Sequence, residues 1–158
     1  MATQPTPAEA ATYPLPAFYF RVKIVNLGPG SDTSFQEVRG IGPEIQTEDV
    51  VEGGENRFIH RLPKAVKNPL LELKRGIAPL KSPLVKWCRS TFESGLAVPL
   101  APSVVDVSLL NAQGQPVRSW SFGNAFPVKW EIEDFKSTKN EVAIEKISLS
   151  YSYCSRVF

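Results

Sequence analysis

Strict period-two alternation at both ends of the chain leaves few folds open to it. In FYFRVKIV (18–25), Phe18, Phe20, Val22 and Ile24 share one face, and Tyr19, Arg21 and Lys23 share the other. In VAIEKISLSYSY (142–153), Ile147, Leu149, Tyr151 and Tyr153 alternate with polar residues. Side chains point to opposite faces in turn only along an extended backbone, so both segments read as half-buried β-strands. Val142 and Ile144 fall out of phase with Ile147, which predicts a bulge or a helix-like turn near Glu145–Lys146.

Between these ends run further short extended segments: SFQEVRG (34–40), EIQTEDV (44–50), RFIHRL (57–62) and LLELKRG (70–76). The loop NLGPGSD and the breakers GIGP and EGGEN separate them with glycine, proline and asparagine. Later, VVDVSLL (104–110) and VRSWSF (117–122) flank NAQGQP, a hairpin signal, and FPVKWEIED (126–134) places Trp130 and Ile132 in another strand. Short strands at this spacing point to an all-β sandwich or barrel rather than βαβ units. One segment differs. SPLVKWCRSTFESG (82–95) offers Ser82 as N-cap, Pro83 at the first helical position and Gly95 just past the end. Leu84, Trp87, Cys88 and Phe92 then form one apolar helical stripe, which makes Cys88 a packed thiol rather than a reactive one.

A chain of 158 residues buries about 70% of its unfolded surface and needs no disulfide or metal to fold. Eighteen basic and sixteen acidic residues are interspersed without a basic stripe, which argues against specific nucleic-acid binding. Cys88 and Cys154 form no CxxC and read as reduced thiols. The opening MATQPTPAEAATYPLPAF lacks the basic and apolar regions of a secretory signal, so synthesis in the cytosol is expected. No apolar run approaches the roughly 20 residues that span a bilayer, so no membrane insertion is expected. Residues 1–16, with prolines at 5, 7, 14 and 16, read as a flexible Pro/Ala-rich arm, and 17–158 as a single β domain.

Catalytic chemistry has little to build on. His60 is the only histidine, with no zinc-ligand spacing around it. No GxSxG elbow is present, and GPGSDT lacks the lysine of a phosphate loop. Glu131, Glu133 and Asp134 read as the solvated face and end of a strand. No catalytic residue, metal or cofactor is therefore assigned. A sugar-binding platform on a β-sandwich is the alternative from another class, using Trp87, Trp120 and Trp130 with the four tyrosines. Each tryptophan sits among apolar residues in phase, which favours the core.

EGGENRFIHRLPK (52–64), LELKRG (71–76), NAFPVKWEIEDF (124–135) and KNEVAIEKISLSY (139–151) carry a further signal. In this order they resemble the motifs of the contractile-tail tube protein family, which includes phage tail tubes and the inner tubes of phage-tail-like extracellular injection systems. The resemblance implies a mainly β (α+β) fold: two packed antiparallel β-sheets forming a barrel-like body, with one flanking α-helix at about 82–94. It implies homo-oligomeric, hexameric rings stacked into a hollow tube, with a sheath protein outside and a baseplate or tube-initiator paralogue beneath. A cargo or tape-measure protein would pass through the lumen, and the final place would be an assembled tail or a released extracellular particle. Residues 48–63 would then make ring-to-ring contacts through Glu52, Gly53, Gly54, Asn56 and Arg57. Lys74 and Arg75 would make contacts within a ring, and Trp87, Trp130, Ile147 and Leu149 would anchor the core. The chain departs from the family pattern at LPKAVKNP and at Arg39, which leaves a specialised tube-initiating ring on the baseplate as the alternative.

Overall fold

The computed structural model describes residues 19–28, 35–54, 57–138 and 141–157. The arm at 1–16 lies outside the described residues. The elements are β1 (Phe20–Ile24), β2 (Glu37–Arg39), β3 (Glu44–Val50), β4 (His60–Lys67), β5 (Leu71–Gly76), α1 (Pro83–Glu93), β6 (Ser103–Leu110), β7 (Pro116–Ile132), β8 (Ile144–Ser150) and β9 (Tyr153–Arg156). A single 3-10 turn, Val25–Leu27, follows β1.

All described strand pairs are antiparallel, and the main path runs β1-β6-β7-β8-β5-β2, with β9 also on β7. Strand β7 organises the fold. Its first half pairs with β6 and β9, and its second half with β8. The expected pair of strands at 117–122 and 126–134 is thus one strand of 17 residues, about twice the ordinary upper length. Such a strand serves two sheets only by bending. Asn124 supplies a left-handed residue (φ 54°), and a register shift falls between Pro127 and Lys129. Proline belongs at a bulge because it has no N–H for the ladder, which suits buried Pro127 to this place.

The two halves of the folded path enclose one core. Val22 and Ile24 come from β1, Val105 and Val107 from β6, Phe122 from β7, Leu71 and Leu73 from β5, and Ile147 and Leu149 from β8. Phe122 meets Tyr151 edge to face, with ring centroids 4.9 Å apart. The body is two antiparallel sheets without barrel closure, since β1 and β2 stand at opposite ends of the path.

Two sequence expectations for the last strands are corrected. No bulge occurs at Glu145–Lys146: β8 runs in unbroken register against β5, from Gly76↔Ile144 to Leu71↔Leu149. The apolar phase looked broken because Glu145, a charged residue, occupies an inward position between β5 and β7. Tyr153 is exposed instead of continuing the core face, because the chain leaves β8 at Tyr151 and β9 crosses to the other half of β7. Its ring lies over Gly123, where an added Cβ would sit 1.9 Å from the ring.

Helix α1 forms where its capping residues place it. The Ser82 hydroxyl accepts the Val85 N–H at 3.3 Å, and Pro83 opens the first turn. Leu84, Val85, Trp87 and Cys88 are buried, whereas Phe92 is exposed because the last turn runs past the core edge. Ser82 also accepts from the Arg75 guanidinium at 3.2 Å. Ser82→Ala is therefore expected to cost about 1–2 kcal/mol, the upper part of the N-cap range, read as a lower urea midpoint at unchanged slope.

Candidate assembly surface

Strands β3 and β4 form a two-stranded ribbon apart from the main path, and every residue of both strands is exposed. Their register sorts the side chains onto two faces. Glu48 opposes Leu62 and Val50 opposes His60 on one face; Ile45 opposes Val66, Thr47 opposes Pro63 and Asp49 opposes Arg61 on the other. The shift at Ile45/Thr47 puts one extra residue on β4, between Pro63 and Val66, so β3 keeps its alternation and Ile45 stays in phase with Thr47 and Asp49. Both faces carry open apolar side chains: Val50 is 37% exposed and Leu62 53% on the first, Ile45 57% and Val66 60% on the second, with Phe58 at 55% beyond the strand end. Phe58 stands edge-on to His60 at 4.9 Å, and Lys64 pairs with Glu48 at 3.4 Å. The second face also carries the Arg61–Asp49 pair at 3.4 Å.

An isolated two-stranded ribbon is marginal in water, and open apolar side chains on both of its faces mark surfaces that other molecules cover. At its tip Glu52, Gly53 and Gly54 are exposed, and Gly54 adopts φ +100°, which a side chain would strain. Asn56 lies outside the described residues, and Arg57 is exposed just beyond. Strand β4 begins at His60 rather than at Arg57, so Phe58 and Ile59 belong to the tip. The sequence assignment singled out the polar tip and passed over Ile45, Val50, Leu62 and Val66. These four are exposed only because the ribbon stands apart from the core, which no local window of sequence shows.

Lys74 lies on the outer face of β5, 3.1 Å from Glu133 and 3.7 Å from Glu37. The hydrogen bond to Glu133 holds its ammonium above the ordinary lysine pKa. Alongside, Lys146 pairs with Glu72 at 3.2 Å, and Lys129 with Glu131 at 2.7 Å. This face neutralises its own charges within the chain. Exposed pairs of this kind contribute about 0–1 kcal/mol each.

Arg75 is not the exposed boundary residue that the sequence suggested. Its side chain turns inward from β5, leaving the residue 3% exposed, and Glu145 opposite it is 1% exposed. The guanidinium meets Glu145 Oε1 at 2.5 Å and lies 5.5 Å from the Phe35 ring centroid. Glu145 also accepts the Trp130 indole N–H at 3.2 Å and the Ala78 N–H at 3.4 Å. The alternating pattern of LELKRG places Arg75 in phase with Leu71 and Leu73, the signal that marked it as inward.

Trp87 is buried and donates its indole N–H to Ala101 O at 3.0 Å; Trp130 and Trp120 pack partly buried against the core, and Ile147 and Leu149 lie within it. The three tryptophans therefore form no exposed sugar platform. Cys88 lies under α1, where burial, reinforced by the Glu145 charge, pushes its thiol up to about 12. Cys88 is expected to stay unmodified by a thiol reagent at pH 8 in the folded protein and to react in urea, read by intact mass. Among the described residues no group of three or more His, Cys, Asp or Glu is placed to hold a metal ion, and no helix is long and apolar enough to cross a membrane.

Known structures share this architecture. A chain of the six-fold symmetrised baseplate of the anti-feeding prophage superposes with a TM-score of 0.73 at 24% identity, over 92% of this chain and 96% of its own. A chain of the sheath–tube complex of the extracellular contractile injection system PVC, in the extended state, gives a TM-score of 0.73 at 24% identity, over 98% of both chains. Hcp1 from Flavobacterium johnsoniae gives 0.55 at 14% identity, over 89% of this chain and 95% of its own. Comparison with curated proteins finds no match. The likenesses establish the fold, and the sequence adds the family: the pattern of the T4-like virus tail tube protein gp19 matches residues 16–155, so the chain belongs to that family of tail tube proteins.

Proposed function

We propose that this protein is a subunit of a hollow tube, six copies closing into a ring and rings stacking inside a contractile sheath. The observation that carries the reading is the β3–β4 ribbon, which holds apolar side chains on both its faces away from a body that packs its own core. Covering them by other copies removes the apolar exposure and stabilises a ribbon that is marginal alone. Head-to-tail contacts of unlike patches generate rings when the rotation closes. Glu52, Gly53, Gly54 and Arg57 ride at the ribbon tip, where they would meet the adjacent ring. Lys74, with its charged neighbours, remains available to the boundary within a ring.

The relatives whose architecture it shares come from a sheath–tube complex and a baseplate, which makes a sheath protein and a baseplate paralogue the partners proposed here. The role is one of geometry, with cargo or a tape-measure protein passing through the lumen of an assembled particle.

Negative-stain electron microscopy across a concentration series tests this. Six-membered rings or stacked tubes are expected as concentration rises. Rings that never stack would identify a tube-initiating ring instead. A sample that stays monomeric at every concentration, even with baseplate components added, would overturn the proposal.

A further inference from the structure

Both roots of the β3–β4 ribbon meet one corner of the body. The chain enters the ribbon through residues 40–43 (GIGP) and leaves it through Asn68 and Pro69 into β5. Asn68 Nδ2 donates to Ser152 O at 2.9 Å across 84 residues of sequence, and the Tyr151 hydroxyl donates to Gly40 O at 3.1 Å across 111. Tyr151 and Ser152 form the turn between β8 and β9, and that turn is itself held. Tyr151 is buried with its ring against Phe122, and the Ser152 N–H donates to Gly123 O at 3.0 Å. Burial raises the pKa of the Tyr151 hydroxyl and of the Cys154 thiol, and the Gly42 backbone amide, directed at both, opposes the rise.

The two glycines of the entering root differ in freedom. Gly40 is locked, since its backbone passes hard against Leu70. Gly42, at φ +119°, has nothing within 4 Å of where a Cβ would stand, so its backbone turns without collision. Hinges are a few residues of this kind at the ends of elements. The ribbon pairs with no strand of the main path, so no backbone ladder fixes its direction. The side-chain bonds at its roots remain to do so.

We infer that Tyr151 and Asn68 are positioning residues, which clasp the two roots of the ribbon to the β8–β9 corner and fix the direction in which it leaves the body. Their purpose rests on the tube reading: an arm that reaches other copies binds them more tightly when its direction is set beforehand. The clasp itself belongs to the single subunit. One attachment on each root resists a twist that a single attachment would allow. A hydrogen bond of ordinary net strength shifts an opening equilibrium about two- to tenfold, so the two together hold one orientation where neither alone is decisive.

Pulsed electron–electron distance measurement on the dilute full chain tests the clasp. Nitroxides are attached at Thr47→Cys on the ribbon and Lys86→Cys on α1, both exposed positions. Cys154→Ser removes the half-buried thiol while keeping a short polar side chain, and Cys88 is buried. Tyr151→Phe removes the hydroxyl and keeps the ring beside Phe122; Asn68→Ala removes an amide outside the core. One narrow distance distribution is expected for the parent. Each variant is expected to raise the population at other distances about two- to tenfold, and the double variant most. The urea midpoint of Asn68→Ala is expected to match the parent, a result that a merely structural role would not give alongside a broadened distribution. Distributions as narrow in the double variant as in the parent would overturn the clasp, whatever the protein assembles into. Broadening in the variants of a parent that never forms rings under the electron microscope would support the clasp and overturn the tube reading. Where the parent does form rings, an unchanged threshold concentration in the double variant would overturn the contribution of the clasp to assembly, and a raised one would support it.

Discussion

Glu145→Ala is expected to destabilise the protein by about 3–5 kcal/mol, the loss that follows when one partner of a buried ion pair is removed. The cost comes from what remains. Arg75 is 3% exposed and loses its carboxylate partner, and the Trp130 and Ala78 N–H groups lose their acceptor. A domain holds only about 5–15 kcal/mol in total, so the variant sits near the folding threshold. Urea unfolding followed by tryptophan fluorescence measures the loss, and Trp130 reports directly because its indole donates to Glu145. The paired variant Arg75→Met/Glu145→Leu discriminates: with both charges gone it is expected to recover most of the loss, as buried pairs exchanged for apolar residues do. A Glu145→Ala midpoint within experimental error of the parent would refute the buried pair as a determinant of stability.

The second large effect is expected at Gly40. Its backbone lies at φ +85°, and a Cβ there would stand 2.0 Å from the carbonyl oxygen of Leu70 and 2.9 Å from the carbonyl carbon. These are backbone atoms at the entrance to β5, so no rotamer relieves the collision. Retreat of the chain at Gly40 would pull on the Arg39↔Glu72 pairing and on the hydrogen bond that Tyr151 donates to Gly40 O at 3.1 Å. The left-handed backbone costs about 1–2 kcal/mol for a residue with a side chain, and forced overpacking about 1–3. Gly40→Ala is thus expected to lose about 2–5 kcal/mol. Gly114 separates the two contributions: its φ is +77° with nothing within 4 Å, so Gly114→Ala should show the backbone cost alone. Equal losses at both positions would show that the approach to Leu70 contributes nothing.

The parts of this fold legible in the sequence are those whose determinants are local. Ser82, Pro83 and Gly95 bracket α1, the NAQGQP turn sits between β6 and β7, and EIQTEDV coincides with β3. Features that depend on two distant segments were not legible. One is the continuity of β7, whose bend at Asn124 is tolerated because β8 and β9 grip its two halves. Another is the inward turn of Glu145, which makes sense only once Arg75 stands opposite it. A groove on the body draws Phe20 from β1, Val38 from β2, Val107 from β6 and Trp120 from β7, so no window of sequence contains it. The ribbon lies between these cases: its strands were visible, but the exposure of both its faces depends on its standing apart from the main sheet path.

The shared strand also sets an order in time. As the chain leaves the ribosome, Phe20 has no ladder partner until Leu109 emerges, and Leu71 waits for Leu149. Only the ribbon and the short β2–β5 pair can form from the first half of the chain. Pairings this distant in sequence make folding slow, because the loops must close before any contact rewards them. The apolar faces of β1 and β5 therefore stay uncovered through most of synthesis, which exposes nascent chains to one another where many copies are made together. Once β7 and β8 are complete, both halves are joined, so the body of this subunit forms nearly all at once and late.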